Sequence, residues 1–410
     1  MSINYEENMS MGNCDEANEI ARHDPLLVPS ITRGTYLCVL GFVAYFAVLI
    51  YIMGLKNVFG TMMATSFDLL LNTVFFIMAV AMIAGAIANI MSEFGVIALI
   101  NNILSPLMKP LYRLPGASAL GAVTTFLSDN PAIAVLAKDR DFIKYFTYVQ
   151  RALLTNFGTS FGMGLIVVTV MLSQATSDAM VYAVGVGLAA TIFGSMISVA
   201  IMRVFVKRYY GDKGDELIHV DDTAADGTHY DTMKFRKIRP GNSAQRTLSA
   251  LLDGGKAGVE LGFIIAPGIV CICTVVMMLV FGQPEGGYTG KAYEGIGLVP
   301  FLAAKIDFIL NPMFGFSSLE AIIFPCMAIG STGAAVGLVP GMLAKGLIGA
   351  NDIAVFTAIG MTWSGYLTTH VAMLDAMDCR ELIGKAIFSH TIAGICAGVI
   401  AHWLFVAIVG

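Results

Sequence analysis

An apolar run at Gly121–Leu127 ends abruptly in Ser128-Asp129-Asn130-Pro131. A hydroxyl, a carboxylate and an amide in succession can grip a cation, an amine or a polar solute. A carboxylate among apolar residues is costly, and in a bilayer it faces a cavity or a partner. Asp129 also fits as the cap of a following helix, with Pro131 in its first turn. Further along lie Thr155, Asn156, Thr159 and Ser160. Residues four apart share a helix face, so Thr155 pairs with Thr159 and Asn156 with Ser160 in facing a solute. The competing reading is helix packing through Gly158, Gly162 and Gly164.

The C-terminal part carries a comparable set. Gly330-Ser331-Thr332-Gly333 interrupts a second apolar run, and Thr362, Ser364, Thr368, Thr369 and His370 polarise the segment after it, beside Trp363. His370 could pair with a carboxylate or relay a proton. Asp375 and Asp378 sit near the inner end of that segment. Glu260 and Glu320 begin apolar segments and read as helix-start charges. Catalysis has no comparable support: there is no His-Glu-x-x-His and no Gly-x-Ser-x-Gly, and Gly255-Lys256 is followed by Ala257, without the hydroxyl residue of a P-loop. The chain is read as not an enzyme. The Cys271/Cys273 pair does not share a helix face, so no metal site or cofactor is expected.

The elements that position these residues follow from composition. Of 410 residues 57% are hydrophobic and 13% charged, against about 25% charged in soluble domains. The reading is an all-α polytopic membrane protein. Full spans are expected at Tyr36–Leu55, Phe67–Met91, Thr147–Ser173, Ala179–Val206, Gly258–Phe281, Asp352–Asp375 and Ala386–Val409. Two amphipathic interfacial helices, Ser92–Leu114 and Ile296–Phe316, precede two broken segments, Ala117–Ala137 and Leu319–Ala344. These broken segments read as re-entrant hairpins, because non-helical backbone survives in a bilayer only where protein or a cavity satisfies it. The expected organisation is a polar tail at 1–30, a first membrane half at 31–206, a linker at 207–257 and a second half at 258–410.

Charge fixes a predicted sidedness. With the N-terminus inside, the outside segments carry only Lys56, Lys291, Lys305 and Lys345 of the 24 Lys and Arg residues, as the positive-inside rule requires. The linker, with Asp221, Asp222, Asp226, Asp231, His219 and His229, then lies in the cytoplasm as a solvated connection, and the plasma membrane is the expected location. The net charge of -5 offers no basic groove, so nucleic acid is not a partner.

The chain also repeats itself. Ile103-Leu104-Ser105-Pro106 matches Ile309-Leu310-Asn311-Pro312, Leu136-Ala137-Lys138 matches Leu343-Ala344-Lys345, and Leu154-Thr155 with Gly158 lines up with Met361-Thr362 and Gly365. The charge-derived sidedness puts one hairpin inside and the other outside, so the halves are expected to be inverted. That is a usual build of secondary transporters, with solute held between the repeats.

These stretches (Ile103–Pro110, Gly121–Pro131, Leu154–Gly164 and, in the second half, Ile309–Met373) resemble the nucleoside-recognition, or gate, domain. That group includes concentrative nucleoside transporters, spore-maturation membrane proteins and ethanolamine permeases. The resemblance implies two inverted halves with solute between two hairpin tips and the helices that follow. The residues it points to are Ser128, Asp129, Asn130, Thr155, Asn156, Ser331, Thr332, Thr362 and Ser364; Thr159 and His370 join them from the face reading above. The glutamine-threonine-glutamate hairpin tip of nucleoside transporters is absent. The expected function is ion-coupled symport, with Na⁺ or H⁺, of a nucleoside or an amine-bearing metabolite. Alternatives are a permease for ethanolamine or another small amine, a non-transporting gate-domain protein acting with a partner, and an intramembrane hydrolase using Ser128, Ser331 or His370. Expected partners are the solute and the lipid bilayer, with a homo-oligomer as an option.

Overall fold

The computed structural model describes residues 30–128, 130–137, 139–219, 234–377 and 379–409. Asp129 therefore lies outside the described residues, as do Lys138, Asp378, His229 and the four linker aspartates. The chain divides into two units, Met1–Val58 and Phe59–Gly410. In the first, helix α1 (Arg33–Met53) is apolar around its whole circumference, with Tyr36, Leu37, Leu40 and Phe42 all exposed. A helix with no polar face suits lipid rather than water.

In the second unit the same element order occurs twice. The first pass begins with α2 (Leu55–Asp68), a π-helical segment at Leu69–Val74 and α3 (Phe75–Glu93). Amphipathic α4 (Val96–Tyr112) follows, then a hairpin of α5 (Ser118–Leu127) and α6 (Pro131–Leu136). After the short α7 (Arg140–Ile143), a broken helix of α8 (Tyr148–Thr159) and α9 (Gly164–Ser173) leads to the long α10 (Asp178–Tyr210). The second pass has α11 (Ser243–Pro267), a π segment at Gly268–Cys273 and α12 (Thr274–Val280), then α13 (Leu298–Ala304) and α14 (Asp307–Phe314). Its hairpin is α15 (Ile323–Gly330) with α16 (Thr332–Ala344). A broken helix of α17 (Ala350–Thr362) and α18 (Tyr366–Ala376) leads to α19 (Ile383–Ile408).

Local chemistry sets the boundaries. Thr147 caps α8, its hydroxyl accepting from Gln150 N–H at 3.3 Å while the Gln150 side chain accepts from Thr147 N–H at 3.0 Å. Asn242 and Gln245 make the same reciprocal cap on α11, at 2.9 and 3.0 Å. Such boxes satisfy two orphan donors at a helix start. Glu260 lies well inside α11, so it is not the helix-start charge expected of it. The second helix of the first hairpin has Asn130, not Asp129, in its cap position, with Pro131 next.

Six helical segments are long and apolar enough to cross a membrane: Arg33–Met53, Leu55–Glu93, Tyr148–Ser173, Asp178–Asp215, Ser243–Val280 and Arg380–Ile408. Another pair, Asp307–Phe314 with Leu319–Gly330, is bent by 80°. The protein is thus an all-α polytopic membrane protein. The expected span at Asp352–Asp375 is built from two shorter helices, α17 and α18, parted at Trp363–Gly365. That break and the one between α8 and α9 share a signature. Met163 (φ 54°) and Gly365 (φ 57°) both stand in the left-handed region, each just before the outgoing helix. The breaks therefore align Met163 with Gly365, a few residues from the Gly158–Gly365 pairing suggested by sequence.

Helices α3 and α11 meet backbone to backbone. A Cβ on Gly85 would fall 2.5 Å from the Gly254 carbonyl oxygen, and one on Gly258 2.4 Å from the Met82 nitrogen. Gly254, Gly258 and Gly262, spaced by four, form the contact stripe, the small-residue packing that membrane helices use. At one end of α3, Glu93 holds the connection against the helix: its carboxylate meets Arg239 at 2.8 Å and Arg246 at 2.7 Å. Elsewhere a loop clasps Glu294, which accepts from the backbone N–H groups of Thr289, Gly290 and Lys291 and from the Thr289 hydroxyl.

Candidate functional site

The polar side chains around the breaks of the two broken helices are sealed from solvent. Asn130, Thr155, Asn156, Thr159, Ser160, Thr332, Thr362, Ser364 and His370 are all buried. Ser331 is half-buried and Ser128 exposed. The side chain of Asn130 joins the first hairpin to the second half's break, donating to the carbonyl of Ser364, and it packs against Gly162, where a Cβ could not fit.

A chain of hydrogen bonds runs through the interior. The Asn156 amide nitrogen donates to Ser198 Oγ at 3.0 Å and to the Ala386 carbonyl at 3.1 Å. A carbonyl cannot donate, so the second contact fixes which end of the amide is nitrogen. Ser198 Oγ lies 2.7 Å from His390 Nδ1, and His390 Nε2 lies 2.5 Å from the Thr362 carbonyl. The carbonyl again sets the tautomer: Nε2 carries the hydrogen, and Nδ1 accepts from Ser198. The Trp363 indole donates to the His390 carbonyl at 3.1 Å. Next to this chain, His370 Nδ1 donates to the Tyr366 carbonyl at 2.5 Å, which leaves Nε2 of the neutral ring with a lone pair.

Four polar atoms stand out. Thr155 Oγ1, Asn156 Oδ1, Ser364 Oγ and His370 Nε2 are fully buried and have no hydrogen-bond partner among the described residues. A buried polar group without a partner costs about 1–3 kcal/mol. Such groups are uncommon, and these four all belong to the two broken helices. Two are pure acceptors, and two are hydroxyls that can donate or accept. Together they can bind a solute carrying both donor and acceptor groups.

Other predicted residues are differently engaged. The hydroxyls of Thr159, Thr332 and Thr362 donate to the carbonyls of Thr155, Gly360 and Ala358 at 2.6, 3.0 and 2.8 Å. Ser331 caps α16, accepting from Ala334 N–H at 3.3 Å. Sequence reading missed Ser198 and His390. Neither has a motif, and only the packing of α10 and α19 against the breaks brings them in. Asp375 pairs with Arg380 at the surface. The exposed Ser128 instead borders a cavity of about 540 Å³ between α3, α5 and α11.

No family model and no curated protein matches the sequence. Among solved structures, the chain is similar to those of the concentrative nucleoside transporter CNTnw. The inward-facing substrate-bound form shares 14% identity, with 81% of this chain and 75% of that one covered and a TM-score of 0.44. A doubly substituted outward-facing form shares 11% identity, with 96% and 86% covered and a TM-score of 0.44. Both values are low, and the chain's function is read from its own side chains.

Proposed function

We propose that the chain is an ion-coupled secondary transporter of a small polar organic solute, a nucleoside or an amine-bearing metabolite, across the plasma membrane. The observation that carries this reading is the set of partnerless buried atoms on Thr155, Asn156, Ser364 and His370. A solute's N–H or O–H groups would donate to Asn156 Oδ1 and His370 Nε2, and its acceptors would take the two hydroxyl hydrogens. The four atoms lie on broken helices, the elements at which membrane transporters hold solute. Na⁺ or H⁺ is the coupling ion of this reading.

The test is a thermal-shift panel on purified protein with nucleosides and small amines, with and without Na⁺, followed by uptake into proteoliposomes. A ligand at a hundred times its Kd stabilises by about 2.7 kcal/mol. One solute class should shift the wild type, and the shift should shrink in Thr155→Val and Ser364→Ala. A well-folded sample that shows neither shift nor uptake would instead favour a non-transporting membrane protein whose buried polar groups serve packing and assembly.

A further inference from the structure

The cavity beside Ser128 is separate from the buried network and has its own chemistry. Its walls are mostly apolar, with Ala84, Ile166 and Leu261 among them. Its polar lining is sparse: the hydroxyls of Thr124, Ser128 and Ser92, the Asn89 amide and one carboxylate. The Thr124 hydroxyl donates to the Leu120 carbonyl at 2.8 Å, and the Ser128 hydroxyl donates to the Thr124 carbonyl at 2.7 Å. Both hydroxyls therefore offer the cavity only oxygen lone pairs. The Asn89 amide nitrogen donates one hydrogen to the Gly85 carbonyl at 3.3 Å and keeps a second, while its Oδ1 accepts from Arg239 at 3.4 Å. Glu260 is the one carboxylate among the described lining residues. Among the described residues it makes no hydrogen bond or ion pair, although Lys256 stands one helical turn away. Among the described lining residues the cavity thus presents one charged group, the Glu260 carboxylate, with a few hydroxyls and an amide on an apolar background, at a volume within the range of about 300–1,000 Å³ typical of small-ligand sites.

We propose that this cavity is a vestibule for a small organic cation, with Glu260 receiving the ammonium group and the oxygens of Ser128 and Thr124 taking its remaining N–H or O–H donors. The inference rests on the transporter reading and narrows its solute to the amine class. A primary ammonium brings three donors and a positive charge, which this lining matches; an anion would meet Glu260 unfavourably, and a neutral polyol would leave its charge without a partner.

The test compares ethanolamine with ethylene glycol, which lacks the charge, as ligands of the purified full chain in detergent. Ethanolamine should raise the melting temperature saturably, and ethylene glycol at equal concentration should not. Glu260→Gln should weaken the apparent affinity by about tenfold, the loss expected for one charge-assisted contact. Ile264→Trp, at an exposed position on the cavity rim, should weaken it by blocking access, and it keeps the test intact should Glu260→Gln fail to fold. Equal shifts from both probes, or unchanged affinity in the folded variants, would overturn the proposal. Uptake into proteoliposomes separates the two readings. Glu260-dependent binding without uptake removes the transporter reading alone, whereas uptake of a solute indifferent to Glu260 removes the vestibule alone.

Discussion

The imidazole rings of His370 and His390 lie with centroids 4.8 Å apart, yet they are differently engaged. His390 has both nitrogens hydrogen-bonded, to Ser198 and to the Thr362 carbonyl, whereas His370 has only Nδ1 engaged. One histidine is a strut between α10, α17 and α19. Its neighbour has a bare acceptor. Residues that hold the fold and residues free to bind can therefore be told apart by substitution.

Ser198→Ala and Ser364→Ala remove the same hydroxyl with different consequences. The first leaves His390 Nδ1 without its donor and one Asn156 N–H without its acceptor, and should lower stability by about 1–3 kcal/mol. The second removes an oxygen that has no partner, so the melting temperature should hold or rise while the solute-dependent shift shrinks. Equal losses in the two variants, measured side by side in one detergent, would contradict this division.

The contact of α3 and α11 makes a sharper contrast between two glycines three residues apart. Gly258→Ala drives a methyl into the backbone at Ala81 and Met82 and should destabilise by about 1–3 kcal/mol. A Cβ on Gly255 meets nothing within 4 Å, so Gly255→Ala should be neutral or add up to about 1 kcal/mol through helix propensity. Thermal melts of the two variants decide it.

Gly365 stands at φ 57°, where an added Cβ is strained. Gly365→Ala should lower stability by about 1–2 kcal/mol and disturb solute binding next to Ser364. Unchanged melting and binding would mean that the left-handed turn does not constrain the break.

Glu294 predicts a pH dependence. Burial pushes its pKa up, but the Thr289 hydroxyl and the N–H groups of Gly290, Thr289 and Lys291 outweigh that and hold it below its usual 4.5. A lowered folded-state pKa gives stability that is fully present above 4.5 and is lost as the pH falls through the folded value. The wild-type melting temperature should therefore decline on acidification below 4.5, and Glu294→Gln should flatten that decline. An identical acid profile in the variant would assign the loss to other carboxylates.

Much of this was legible in the sequence, for physical reasons. Apolar run length located the spans, and polar breaks at Ser128–Pro131 and Gly330–Gly333 located the hairpins, because a bilayer tolerates such breaks only at special places. Thr155, Asn156, Ser364 and His370 were found because polar residues stand out on apolar helices. Ser198 and His390 stand on such helices too, but their roles depend on which faces meet across the chain, and no local pattern records that. Glu260 was misread because the helix start lay at Asn242, where an amide cap in a polar stretch gives a weaker signal than the start of the apolar run.

The glycine contact between α3 and α11 bears on motion. Side chains between two helices act as a deformable layer that lets one slide over the other by changing rotamer. Where Gly85 faces Gly254 there is no such layer, and a shift of about an ångström would bring main chain into main chain. Helices α3 and α11 are thus joined as a fixed frame, and any rearrangement that exposes the buried polar atoms to either side of the membrane has to hinge at the helix breaks and hairpins around it.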